Sequence, residues 1–115
     1  MLRIKRVYDA PSLSDGFRIL VDRLWPRGLT KEKAKVDLWL KDVAPSNELR
    51  QWFAHDDTKW AEFRKKYFSE LAEKRDLVDI IVRKMKEGNV TLLFGARDEE
   101  HNDAVVLKVY LARSK

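Results

Sequence analysis

The run Val90-Thr91-Leu92-Leu93-Phe94 carries no charge and is rich in strand-forming residues. It reads as a buried strand, and such continuous apolar runs mark strands covered on both faces, as in parallel sheets. Gly95 and Ala96 follow, then the polar block Arg97-Asp98-Glu99-Glu100-His101-Asn102, then an apolar stretch over 104–111 with helical character. A strand, a polar loop and a helix in that order belong to an open α/β sheet. In such sheets ligands bind where strand ends and helix N-termini converge.

The rest of the chain supplies the other layers. Residues 4–8 mix apolar and basic side chains (Ile4, Lys5, Arg6, Val7, Tyr8) and predict a short strand. Pro11, Ser12, Ser14, Asp15 and Gly16 predict a loop. Residues 17–24, with Ile19-Leu20-Val21 at their centre, predict a second strand that ends at Trp25-Pro26-Arg27-Gly28. Thr30 can cap a short helical turn through Lys35. Val36, Leu38 and Leu40 alternate with polar or aromatic neighbours, which favours a third strand over a helix presenting Val36, Trp39 and Leu40.

Ser46 caps a helix whose apolar face is Leu49, Trp52 and Phe53, and His55-Asp56-Asp57 breaks it. Trp60, Phe63, Tyr67, Phe68 and Leu71 have the spacing of a long amphipathic helix. That spacing predicts core packing rather than a platform for stacking bases. Leu77, Ile80, Ile81 and Met85 continue the pattern in a third helix closed at Gly88-Asn89. Strands at both ends with helices between require crossover connections, hence parallel pairing. The expectation is one small layered α/β domain over residues 1–115. Its mostly parallel central sheet has about four strands and is flanked by helices.

Composition narrows the chemistry. The chain has no cysteine, which excludes disulfides and thiol catalysis. Its two histidines, His55 and His101, share no metal-ligand spacing, so neither a metal site nor a cofactor is expected. No cofactor fingerprint, phosphate loop or nucleophile elbow is present. No apolar stretch reaches membrane-span length and the N-terminus lacks a signal-type apolar core, so the default expectation is a cytoplasmic protein. The net charge of +5 favours anionic partners. Acids interrupt every basic tract, however, and nucleic acid is the less favoured partner.

Two polar constellations could carry function. In the first, Asp22, Arg23 and Arg27 sit at the end of the second strand, where arginine forks grip carboxylates or phosphates. The alternative is an internal Asp22–Arg23 ion pair. In the second, Arg97 could hold an anion with Asn102 beside it, and His101 could act as acid or base. Its acidic residues could equally decorate the final helix's N-terminus. Together these residues predict a strand-end site for a small anionic ligand, a nucleotide or phosphorylated metabolite, with catalysis left open. Arg23, Arg27, Arg97 and Asn102 would bind, and His101 and Asp22 would handle protons. A nucleic-acid-binding module and a structural or protein-interaction domain are the rival readings.

Leu20-Val21-Asp22-Arg23-Leu24-Trp25-Pro26-Arg27-Gly28, Trp39 to Ser46, Leu49 to Phe53 and Thr91 to Val106 together resemble the YeaO-like family, a compact branch of the domain-of-unknown-function group 488. That family has no established activity, so the resemblance implies kinship and little chemistry. Longer relatives have a C-terminal Leu-Leu-Cys-x-Glu followed by Cys-His-Arg. Here Phe94 stands at the first cysteine and Glu100-His101-Asn102 at the second motif, so only the histidine persists. A thiol or metal role proposed for those relatives therefore does not transfer. Nor does a label as a MarR-type regulator, because the chain lacks a winged-helix pattern.

Overall fold

The alternating N-terminus forms strand β1 (Leu2–Arg6) in the computed structural model, which describes residues 1–113. A loop with one 3-10 turn leads to β2 (Phe17–Leu20). Then come the single-turn helix α1 (Lys31–Ala34), the two-residue β3 (Leu38–Trp39) and a second 3-10 turn at Lys41–Val43. The helical layer is α2 (Asn47–Phe53), α3 (Trp60–Ala72) and α4 (Arg75–Glu87), with a 3-10 turn at Asp57–Lys59 before α3. Strand β4 (Val90–Phe94) and helix α5 (Asp103–Arg113) complete the fold. All pairings are parallel, in the order β1-β4-β2-β3.

β4 lies between β1 and β2, and all five of its residues are buried. The period-2 alternation of a strand sorts its side chains. Val90, Leu92 and Phe94 join Ile19, Val21 and the apolar faces of α2 to α5 in the main core. Leu93 faces the other way and packs with Val7, Leu20 and Ala34, flanked by Trp25, Leu29 and Val36. Helices α2 to α5 therefore cover one face. The second face is covered by the loop before β2 and by the segment around α1.

That second face also holds a polar network that the apolar pattern did not announce. Arg18, 4 % exposed, points from the middle of β2 toward Asp15 at 2.6 Å and donates to the carbonyls of Ala34 and Lys35. Asp15 also accepts from Lys5 and from the Ser12 N–H. Burial pushes its carboxyl up, but these donors outweigh burial and hold it below the ordinary aspartate range. Thr91 donates to the Asp15 carbonyl, which anchors the loop to β4. At Gly16, φ is 67° and a Cβ would collide with the Asn89 carbonyl. Only glycine lets β2 start this close to the turn before β4.

Three boundaries differ from the sequence reading. β1 begins earlier and ends at Arg6 rather than Tyr8; Val7 makes one more bond, to the Phe94 carbonyl, and Tyr8 is exposed. β2 stops at Leu20 rather than Leu24. The Val21 N–H bonds the Leu93 carbonyl, and beyond it the Asp22 side chain, not its backbone, takes up the Gly95 N–H. Of the stretch 36–40, only Leu38 and Trp39 pair as strand. In the helical layer Phe63, Tyr67 and Leu71 are core, whereas Trp60 is half-buried. Among the described residues no helix is long and apolar enough to cross a membrane.

Candidate functional site

The parallel strands point their C-terminal ends at one edge of the sheet, and α2, the Asp57–Lys59 turn and the loop before α5 gather there. A cleft of about 500 Å³ opens at this edge. Its walls include Asp22, Arg23, Arg50, His55, His101 and Asp103, with apolar surface from Trp25, Phe53 and Phe63.

Asp22 leaves the end of β2 and its Oδ2 accepts the Gly95 N–H at 2.7 Å, which ties the ends of β2 and β4 together. A Cβ at Gly95 would lie 3.2 Å from that oxygen, so glycine leaves room for the carboxylate. The Asp22 carboxyl meets that of Asp103, in the first turn of α5, and each acts on the other's charge. Carboxylates only accept hydrogen bonds, so a bond between the two needs a proton on one of them, and burial favours that protonated form. Burial pushes both upward; Asp103 rises well above the ordinary range because the Asp22 charge adds to its desolvation. The Gly95 N–H and the positive charge of Arg50 oppose the shift at Asp22. The wall thus carries a proton-sharing carboxyl pair beside a guanidinium. The alternative Asp22–Arg23 ion pair is not what forms.

Arg23 reaches across the cleft. Its Nη2 donates to the carbonyls of Ala44 and Pro45, and Nη1 lies 3.8 Å from Asp42. Its buried Nε has no hydrogen-bond partner among the described residues. Trp25 and Trp39 meet edge-on at 5.5 Å, donating their indole N–H groups to the carbonyls of Leu29 and Asp22. These bonds brace the Trp-Pro-Arg-Gly turn.

The polar block before α5 divides its labour. Asp98 Oδ1 accepts the N–H groups of Glu100 and His101. Asn102 is buried; its amide donates to the Asp98 carbonyl and its Oδ1 accepts from the Val105 N–H, capping α5. His101 packs on Trp60 with ring centroids 4.7 Å apart, and its Nδ1 lies 3.0 Å from Asp57 Oδ1.

Of the residues singled out in the sequence, Asp22, Arg23, His101 and Asn102 line the cleft, while Arg27 and Arg97 are exposed and outside its lining. Arg27 contributes its carbonyl to the Tyr8 hydroxyl. Asp103, Arg50, His55 and Asp57 went unremarked as site residues. Asp103 is the one a closer reading could have reached, since it directly follows the polar block. An acid in a first helical turn gives no signal of its own.

Comparison with known proteins places the chain among uncharacterised relatives. A family model described as the inactive DUF488-N3 subclade matches residues 1–114. The uncharacterised protein YeaO of Escherichia coli K12 is 44% identical over 114 residues, covering 96% of this chain and 96% of that protein. An uncharacterised protein of Mycobacterium tuberculosis H37Rv, Rv3073c, is 43% identical over 79 residues, covering 69% of this chain and 67% of its own length. No solved structure matches.

Proposed function

The chain belongs to the YeaO-like DUF488 family, and on that premise we propose that its strand-end cleft binds a small phosphorylated metabolite, of the nucleotide or sugar-phosphate class, without transforming it. The observation that carries this reading is the meeting of two arginines, Arg23 and Arg50, with two carboxyls, Asp22 and Asp103, in one cleft of about 500 Å³. Arg50, exposed on α2 and without an ion-pair partner among the described residues, offers a planar fork to a phosphate. Arg23 adds positive charge while holding the far wall. With one proton retained, the Asp22–Asp103 pair bears about one negative charge and can both donate to and accept from a ligand hydroxyl or ring nitrogen. Phe53, Phe63 and Trp25 offer apolar surface to a ring. The family's description as inactive supports binding over catalysis. Arg27 and Arg97 lie outside the lining, so the anion falls to Arg50 and Arg23.

The test is a thermal-shift titration with adenosine monophosphate, ribose 5-phosphate, inorganic phosphate and the unphosphorylated nucleoside. A ligand at about a hundred times its Kd stabilises by about 2.7 kcal/mol. At least one phosphorylated compound should raise the melting temperature, Arg50→Gln should remove that rise, and Arg97→Ala should keep it. A panel without any shift, or a shift that survives Arg50→Gln, would sink the proposal.

A further inference from the structure

We infer that Asp57, Asp98 and His101 form a binding site for a divalent transition-metal ion at the rim of the cleft. Asp98 and His101 share the loop before α5, and Asp57 joins them from the other side of the helical layer's sequence, 44 residues before His101. Asp57 opens the 3-10 turn before α3, Asp98 follows the end of β4, and His101 stands just before α5. One donor atom from each lies within 4.8 Å of the others. His101 Nδ1 is 3.0 Å from Asp57 Oδ1 and 3.6 Å from Asp98 Oδ2. Donors bound tetrahedrally to zinc at about 2.0–2.1 Å stand roughly 3.3 Å apart, so these separations need little adjustment.

Two further features favour an ion over a plain histidine–aspartate pair. The imidazole Nδ1 can donate one proton, yet two carboxylates face it. Among the described residues no lysine or arginine lies within ion-pair distance of either carboxylate. Two carboxylates therefore face the His101 ring, with only the His55 imidazole acting on Asp98 from farther off among the described residues.

The donors are also held in place. Asp98 uses Oδ1 to accept two backbone N–H groups, which leaves Oδ2 turned toward His101. The His101 ring is packed against Trp60. Such support orients ligands before the ion arrives. One nitrogen and two oxygens suit zinc or a neighbouring first-row ion better than magnesium, which prefers oxygen alone. Three protein donors leave a coordination position open, as in zinc sites that bind an exogenous group. Because His101 lines the cleft, that position lies beside the proposed phosphate site, but the metal assignment does not depend on it. No spacing in the sequence announces the site, because Asp57 lies 44 residues from His101.

The experiment is calorimetric titration of the untagged, chelator-treated full chain with zinc chloride, and separately with magnesium chloride, in the absence of any phosphorylated compound. One equivalent of zinc should bind, magnesium should not saturate the site, and His101→Ala should abolish binding. Asp57→Asn, an exposed change that spares the core, should weaken it by about tenfold or more. The His55→Ala variant should retain the site. Melting curves without metal establish that each variant is folded; should His101→Ala fail to fold, Asp57→Asn and the ring-nitrogen NMR shift of His101 on adding zinc carry the test. No saturable zinc binding, binding untouched by Asp57→Asn, or a His101 ring signal unmoved by zinc would overturn the assignment.

Discussion

Asp103 shows how far one side chain's behaviour departs from its sequence context. Among the acids clustered at the start of α5 it looks like one more favourable charge on a helix N-terminus. In the fold it is desolvated against Asp22 and its carboxyl rises well above the ordinary range. A folded-state pKa above the unfolded value of about 3.9 gives stability that is full below that value and is lost as pH rises through the folded one. Asp103→Asn keeps a hydrogen bond to Asp22 and removes the titration. It should therefore melt higher than the native chain at about pH 8, with the difference closing toward about pH 3, in thermal melts across that range. A variant less stable at every pH would contradict the shared proton. At this scale Asp22, Arg23 and His101 were legible because each sits at the end of a readable strand or in a dense polar block. Asp103, Arg50 and Asp57 were not, because their meaning comes from neighbours distant in the chain. Asn102 and Asp98 were legible as polar, but not as caps, since a cap depends on where the following helix starts.

Helices α2 to α5 were readable from apolar spacing, and their positions follow from bonds that spacing does not record. The buried Tyr67 hydroxyl donates to the Val43 carbonyl at 2.7 Å, which fixes α3 under the Lys41–Val43 turn. Ser46 caps α2 by accepting the Leu49 N–H, and Glu70 of α3 takes both the Ser46 N–H and its hydroxyl. These links set the wall from which Arg50 projects. Tyr67→Phe keeps the ring packing and orphans the Val43 carbonyl, at a cost of about 1–3 kcal/mol measurable in denaturant melts. A change below roughly 0.5 kcal/mol would mean that water replaces the hydroxyl. The strands were less legible than the helices. β3 is two residues long, too short for a period to register, and β2 ends where its neighbour runs out of ladder partners rather than where its apolar run ends. The buried Arg18 was not legible as a core residue because its partners, Asp15 and the Ala34 and Lys35 carbonyls, come from the covering loop and from the end of α1.

For the molecule as a whole, the parallel α/β class followed from strands at both ends separated by helices, but the strand order did not. Nothing local says that the last strand enters the middle of the sheet; that depends on β4 being buried throughout while β1 is not. The consequence is long-range dependence. β1 pairs only with β4, and β2 pairs with β4 and the two-residue β3, so the sheet has no stable core until residue 94 is in place. Even the start of β2 rests on the turn before β4, through the Phe17 N–H to the Asn89 carbonyl. A fragment of residues 1–88 would lack β4 and α5 and hence Leu92, Phe94, Val106, Leu107 and Leu111 from the main core. It would retain the sequences of α2, α3 and α4, yet short helices without an apolar partner surface are marginal in water. The fragment should accordingly show no cooperative thermal transition and no slowly exchanging amides. In the full chain, by contrast, the slowest-exchanging amides should be those of β4 and the β1 and β2 residues that pair with it. A fragment that melts cooperatively would mean that the helical layer is a folding unit of its own and that β4 is inserted into a sheet already formed.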